Sequence, residues 1–249
     1  MKKKLAIIAI FLIAYLGFLI ATLPSAVVLK QITLPKQVVL SGVKGTLWNT
    51  DIQQLTLNNI VIEQVNAKLS FWSLFSLKPK LDISFGDPLL SGAEGKLILF
   101  ITDQEATITD LSVLVSANEV AQQLTLPLPV SAQGNIELTI NQARINIQSK
   151  QCLKIKGDVS WSKAGVVALK QNIKLGHLNA DISCEDDALS LIVSPKNNLG
   201  LTFSALIHQG GKISGQGYLK PGNKFPKALN SVLPFLGKKD HQGRYRLSF

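Results

Sequence analysis

The sequence predicts an all-β protein in which an N-terminal single transmembrane helix is followed by a long curled antiparallel meander with a few short helices. Two patterns in the chain of 249 residues predict this fold class. Residues 5–23 form a run without a charged side chain. From residue 65 onward, short segments alternate apolar and polar residues with a period of two, which is typical of half-buried antiparallel strands.

The N-terminal run is long enough to cross a membrane. Its 19 residues would form a helix about 28 Å long, close to the ~30 Å hydrocarbon thickness of a bilayer. Lys2, Lys3 and Lys4 precede the run, and Pro24 follows it. By the positive-inside rule, we expect residues 1–4 in the cytoplasm, residues 5–23 in the membrane and residues 24–249 on its far side.

A cleaved signal peptide is the alternative interpretation, because it also begins with lysines and an apolar run. Its apolar core is only about 7 to 15 residues long, and small residues stand one and three positions before the cut. Around residues 21–26, no cut has a convincing pair of small residues. The sequence therefore favours a helix that is not removed.

The part after Pro24 contains about a dozen alternating segments, too many for one short sheet. The parity of the alternation reverses near Thr109-Asp110, which predicts a bulge. Asn141-Gln142 separates two segments and predicts a hairpin turn. The apolar rows include Val65, Ala67, Leu69 and Phe71; Leu97, Leu99 and Ile101; Ile136, Leu138 and Ile140; and Leu201, Phe203, Ala205 and Ile207.

Helical segments are few in this part of the chain. We expect a turn at residues 73–77, two helical turns at 117–124, and a helix at 224–236 that Pro226 and Pro234 interrupt. The proline-containing segment at 126–130 is the best candidate for a domain boundary, and it would give halves of roughly a hundred residues. One β-rich domain over residues 24–249 is the other organisation.

Charge and motifs exclude several functional classes. The formal net charge is +10, but the basic residues are mostly lysines scattered singly through the alternating segments, which disfavours a nucleic-acid interface. The sequence has no Gly-x-Ser-x-Gly elbow and no His-Glu-x-x-His pair, so we predict no catalytic residues and no cofactor. The acidic triplet at 185–187 is typical of a solvated turn, and the three histidines lack metal-ligand spacing.

Cys152 and Cys184 are the only two cysteines and form a candidate disulfide. A chain delivered outside the cytoplasm meets an oxidising compartment, where two thiols of one domain tend to pair. Closing a loop of about 33 residues would stabilise the fold by about 3 to 4 kcal/mol. Two independent buried thiols are the alternative.

A glycine-containing phrase recurs along the chain. The segment LSGVKGTLW at 40–48 is echoed at 90–97, 130–136 and 213–219. Glycine near the start of a strand permits a bulge or a close approach of two backbones. None of these phrases ends in Gly-Lys-Ser/Thr, so they do not form a phosphate-binding loop.

Four segments together carry a resemblance to a known family. They are TLPSA at 22–26, LSGVKGTLWN at 40–49, SCED at 183–186 and QGRYRLSF at 242–249, and they extend in order over nearly the whole chain. With these motifs the chain resembles the N component of the bacterial type II (general) secretion pathway. Thr50 departs from the pattern, because a small residue, commonly glycine, is expected after Trp-Asn, and this affects one local turn.

The resemblance implies a non-catalytic, single-pass inner-membrane protein with a cytoplasmic N-terminus and a periplasmic β-rich domain at 24–249. It also implies that the other components of the machinery exporting folded proteins across the outer membrane are its partners. An open sheet edge could bind such a partner by strand addition. The alternative is a periplasmic lipid-binding protein, because the same apolar rows could line a groove for acyl chains.

Overall fold

The structure of the chain is a computed structural model. The structure describes residues 2–31, 38–57, 60–87, 92–123, 130–168, 171–185, 188–208 and 212–248. These residues belong to two compact units, Met1–Asp87 and Pro88–Phe249. The boundary predicted at 126–130 falls mostly on residues 126–129, which lie outside the described residues.

The first unit begins with two helices. Helix α1 covers Lys2–Ala21, and helix α2 covers Ser25–Gln31. Pro24 separates them, because proline lacks the backbone N–H that a continuous helix needs. Within the described part of the chain, no helix combines the length and apolarity needed for a membrane span.

Four antiparallel strands follow in the first unit, each paired with its neighbour in the sequence. The strands are β1 (Val38–Thr46), β2 (Asn49–Leu57), β3 (Ile60–Leu69) and β4 (Lys80–Phe85). The short helix α3 (Phe71–Phe75) connects β3 to β4. It matches the turn predicted at 73–77 but begins two residues earlier.

The second unit is a nine-stranded antiparallel meander in the described residues, again in the order of the sequence. One helix, α4 (Ala117–Gln123), follows its second strand, as the sequence predicts for 117–124. The strands are β5 (Glu94–Ile101), β6 (Glu105–Ser116), β7 (Ser131–Asn146), β8 (Cys152–Ala168), β9 (Gln171–Glu185), β10 (Ala188–Val193), β11 (Leu201–Ile207), β12 (Ile213–Leu219) and β13 (Tyr245–Ser248).

The helix predicted at 224–236 is replaced by two short 3-10 turns, Lys227–Ser231 and Leu233–Leu236. Pro226 precedes the first turn and Pro234 lies at the start of the second. Because Pro234 lacks the backbone N–H that a helix interior needs, the two turns do not join into one α-helix. Leu229 of the first turn packs against two small apolar clusters, one around Ile173 on β9 and one around Tyr245 on β13. The turns therefore cover the C-terminal end of the sheet.

The bulge predicted near Thr109-Asp110 is confirmed. Thr109 pairs with Ile98 and Ser112 with Lys96, so two residues of β6 lie opposite the single residue Leu97. Asp110 has a φ of 52°, a conformation that aspartate tolerates better than most residues. The bulge allows both halves of β6 to keep their apolar side chains on one face.

The hairpin predicted at Asn141-Gln142 is wrong, because β7 continues through both residues as a single strand of 16 residues. Ile140 pairs with Gly157 and Gln142 with Lys156, which leaves Asn141 as one extra residue. This extra residue is a bulge, which keeps Ile140 before it and Ala143 after it on the same face of the sheet.

Cys152 and Cys184 are bonded in the structure. Cys152 begins β8, Cys184 lies near the end of the adjacent strand β9, and their Cα atoms are 5.8 Å apart. This Cα separation is typical of a disulfide. The bond therefore links two strands that the backbone ladder already pairs.

We expect reduction of this disulfide to lower the free energy of unfolding by about 3 to 4 kcal/mol, because it frees a loop of about 33 residues in the unfolded chain. Denaturant unfolding of the full chain in mild detergent, with and without reductant, measures the difference. The control is the double variant Cys152→Ser, Cys184→Ser, whose stability should not respond to reductant. Equal stability of oxidised and reduced wild-type protein would contradict the prediction.

Candidate functional site

The β1–β2 hairpin of the first unit is fastened to the end of α1 and the start of α2. Thr46 pairs with Asn49, so Leu47 and Trp48 form a two-residue turn. The backbone N–H of Leu47 donates to the carbonyl oxygen of Leu23 at 2.9 Å, and Trp48 Nε1 donates to the carbonyl oxygen of Ile20, also at 2.9 Å. Both acceptors lie at or just past the last turn of α1, where backbone carbonyls lack partners within the helix.

Ser25 adds a further contact between helix and hairpin. It is 1% exposed, and its hydroxyl lies 3.1 Å from the carbonyl oxygen of Lys44 and 3.2 Å from that of Gly45. Pro24 forms an isolated antiparallel bridge with Thr46. We call these contacts of residues 20–25 with residues 44–48 the helix–hairpin clamp.

Two residues of the hairpin make its geometry possible. Gly45 has a φ of 89°, and a Cβ atom there would collide with the carbonyl oxygen of Asn49. Thr50, the departure from the expected glycine, lies in β2 rather than in the turn. Its hydroxyl donates to the carbonyl oxygen of Thr46 at 3.0 Å, so threonine supports the turn that its presence was expected to perturb.

An aromatic cluster lies beside the clamp. The rings of Trp48 and Phe71 meet edge to face, with centroids 5.1 Å apart. Phe71 makes similar contacts with Trp72 at 5.7 Å and with Phe75 at 5.4 Å. The side chains of Trp72 and Phe75 are 78% and 72% exposed, and Leu77 after the helix is 85% exposed.

The aromatic cluster was not predicted from the sequence. The turn was predicted only at residues 73–77, although the segment FWSLFSL at 71–77 contains five large apolar residues that a turn does not need. An open cleft of about 380 Å³ lies between the cluster and α1, lined by Gly17, Ile20, Ala21, Trp48 and Phe71.

The C-terminal motif of the second unit is organised by Asp240. One carboxylate oxygen of Asp240 accepts hydrogen bonds from the backbone N–H groups of Gln242 and Arg244, at 2.8 and 2.9 Å. The other accepts from Nε of Arg244 at 2.8 Å. The hydrogen bond from the Arg244 backbone is the largest of the contributions that lower the pKa of Asp240.

Arg244 then leads the chain into β13. Its guanidinium lies 4.0 Å from the ring centroid of Tyr218 on β12, within cation–π range. The next residue, Tyr245, is 7% exposed and packs in a cluster with Leu219 and Phe225. The motif at 242–249, which contributes to the family resemblance, thus contains the last strand of the sheet.

Among the described residues, no group of three or more histidine, cysteine, aspartate or glutamate side chains could hold a metal ion. The acidic triplet falls partly on residues 186 and 187, outside the described residues. The two predicted site residues, Cys152 and Cys184, form the disulfide already described, in the second unit and not in the helix–hairpin clamp.

A family model and several known proteins match this chain over nearly its full length. Residues 36–248 match the family model described as type II secretion system (T2SS), protein N. The type II secretion system protein N of Aeromonas hydrophila is 30% identical over 253 aligned positions, covering 100% of this chain and 98% of that protein. The protein of the same name from Vibrio cholerae is 25% identical, covering 98% and 97%. No solved structure matches the chain.

We expect Gly45→Ala to lower the free energy of unfolding by about 1 to 3 kcal/mol, because alanine must hold a positive φ and its Cβ meets a backbone oxygen. The matched control is Gly222→Ala, where the added Cβ has open space around it. Denaturant unfolding of the full chain in mild detergent measures both variants. Equal stability of the two variants would contradict the role assigned to Gly45.

We also expect Asp240→Asn to lower the melting temperature at neutral pH, because it removes the charge paired with Arg244. The folded protein lowers the pKa of Asp240, so its stabilising contribution is present above the carboxyl's unfolded pKa. That contribution disappears as the pH falls through the lowered folded pKa. The difference in melting temperature between wild type and variant should therefore shrink in acid.

Asp103→Asn, which removes the same charge at the β5–β6 turn, is the control for Asp240→Asn. A difference between wild type and Asp240→Asn that persisted unchanged at low pH would contradict the electrostatic explanation.

Proposed function

Because the chain belongs to the family of type II secretion system protein N, we propose that it is a non-catalytic, inner-membrane-anchored component of that machinery. In this role it supports the export of folded proteins across the outer membrane. The observation that carries the proposal is the near-complete, end-to-end match to relatives bearing that name.

The proposed anchor is residues 5–23, with residues 1–4 in the cytoplasm and residues 24–249 in the periplasm. Its support is the uncharged sequence of the run and the three lysines before it. In α1 the large apolar side chains point outward, with Phe11 74% and Ile13 69% exposed. An apolar solvent around the helix would remove the cost of that exposure.

Topology can be tested with a chain that carries a short N-terminal tag and alkaline phosphatase fused after Phe249. We expect phosphatase activity, retention of the N-terminal tag, and resistance of the fusion to extraction by alkaline carbonate. A product that has lost the tag and is extracted would instead indicate a cleaved signal peptide. An inactive phosphatase fusion would contradict the periplasmic location.

The partners can be tested by brief cross-linking in cells followed by extraction of the tagged chain in mild detergent. We expect other type II secretion components to dominate the captured proteins. The matched control replaces residues 5–23 with an unrelated transmembrane segment, which separates partners of the periplasmic part from partners of the anchor. Absence of every secretion component from the wild-type capture would overturn the proposal.

A second candidate function, lipid binding, is favoured by the apolar face of the second unit. One row of directly opposite residues runs across eight strands of this unit without a polar side chain. In order from β6 to β13, it consists of Val113, Leu138, Val159, Ala180, Val193, Phe203, Gly217 and Leu247.

The burial of this row is consistent with an accessible surface. Leu138, Val159 and Val193 are only half-buried, although a second layer packed against a sheet normally buries such residues. The adjacent row on the opposite face includes Thr139, Asp158 and Asp181 and is mainly polar. One sheet with an apolar face and a polar face could shield acyl chains on the first while the second remains in water.

The lipid-binding candidate predicts about one tightly held lipid per chain after detergent exchange, measured by native mass spectrometry. Leu138→Lys should reduce that occupancy about tenfold, because it brings a charge onto the apolar face. Glu137→Lys changes the neighbouring residue, which is exposed and belongs to the opposite face, and should leave occupancy unchanged. Far-UV circular dichroism checks that both variants fold. Lipid present only as a variable annulus would exclude this function.

A further inference from the structure

The first unit displays a compact group of large apolar side chains that its own core does not use. Phe71, Trp72 and Phe75 of α3, together with Leu77, form what we call the aromatic patch. Trp72, Phe75 and Leu77 are each more than 70% exposed. Contiguous exposed apolar groups of this kind usually mark an interaction surface.

The patch is held in a defined position. The hydroxyl of Ser73 donates to the carbonyl oxygen of Ser70 at 2.6 Å and accepts from the backbone N–H of Lys80 at 2.9 Å. The N–H of Ser70 donates to the carbonyl oxygen of Lys80 at 3.0 Å, which closes the loop between β3 and β4. The backbone of such a closed loop loses little further conformational entropy when the patch binds.

The aromatic patch lies beside the C-terminal end of α1. Phe71 packs on Trp48, and the indole of Trp48 is hydrogen-bonded to the carbonyl oxygen of Ile20 in the last turn of α1. The cleft between them is lined by Gly17 and Ala21 of the same helix. The aromatic patch is therefore continuous with the C-terminal end of α1, which is the end that leaves the membrane if residues 5–23 form the anchor.

The chemistry of the patch suits a phospholipid surface. Tryptophan is enriched at the boundary between headgroups and acyl chains, because its ring is apolar and its N–H is polar. Lys78 follows Leu77 directly and is exposed, so its ammonium group can meet lipid phosphates. A protein partner would have to bind in the same layer, immediately beside α1.

We propose that the aromatic patch inserts into the headgroup boundary of the leaflet in which α1 ends, with Trp72, Phe75 and Leu77 contacting acyl chains and Lys78 contacting phosphate. The ligand is a phospholipid bilayer, preferably one with anionic headgroups. This inference rests on the proposed anchor and adds a second contact between the first unit and the membrane.

The test uses the full chain in vesicles of phosphatidylcholine and phosphatidylglycerol, with and without bromine on the upper part of the acyl chains. Bromine quenches tryptophan fluorescence only at short range. Comparing wild type with Trp72→Ser isolates the emission of Trp72, which we expect brominated lipid to reduce about twofold, consistent with shallow insertion of an apolar surface. Phe75→Ser keeps Trp72 as the reporter and should weaken its quenching.

The control is Trp161→Phe, which isolates the emission of Trp161 on β8 in the second unit. Trp161 packs against the apolar cluster of Ala164, Ile173 and Leu175 of its own unit, so we expect no quenching by brominated lipid when the second unit itself binds no lipid. Far-UV circular dichroism verifies that each variant is folded.

Flotation after carbonate washing separates the two proposals. Protein that floats with the vesicles and shows quenched Trp72 supports both the anchor and the inserted patch. Floating protein whose Trp72 is untouched by brominated lipid but quenched by acrylamide overturns the patch proposal and leaves the anchor intact; the patch would then be free for a protein partner. Protein that fails to float contradicts the anchor, and the membrane role of the patch falls with it.

Discussion

In both units each strand is hydrogen-bonded to its neighbours in the sequence, and the arrangement of side chains depends on that local pairing. Because opposite residues of antiparallel strands point to the same side, an apolar face continues from strand to strand only where each register places apolar residues opposite one another. The apolar row from Val113 to Leu247 exists only because seven successive registers agree. A slip of one residue in any strand would interrupt it.

The bulges at Asp110 and Asn141 show how the sequence maintains this agreement over long strands. Asp110 on β6 lies beside Asn141 on β7, since the pairs on either side are Thr109 with Gln142 and Leu111 with Ile140. Both strands thus change parity at the same level of the sheet. One irregularity compensates for the other, and the apolar face continues past both.

Much of this fold follows from alternation alone, because period-two patterns report which residues share a face. The same pattern revealed the irregularity at Asp110, where the parity reverses. It failed at Asn141 because asparagine and glutamine suit a turn as well as a bulge, and only pairing with β8 distinguishes the two. The helix–hairpin clamp was even less predictable, since its hydrogen bonds join residues 19 to 28 positions apart and use backbone carbonyls that carry no sequence signal.

The clamp also has a mechanical consequence. A domain that hangs from a helix by an unstructured tether can rotate freely and samples many orientations. Here Leu47 and Trp48 are bonded to the residues that end α1, and Ser25 joins the adjacent helix to the same hairpin. These hydrogen bonds therefore fix the orientation of the four-stranded sheet relative to α1. Tilting or rotating α1 would transmit a torque directly to that sheet, and a force on the sheet would in turn reach the helix.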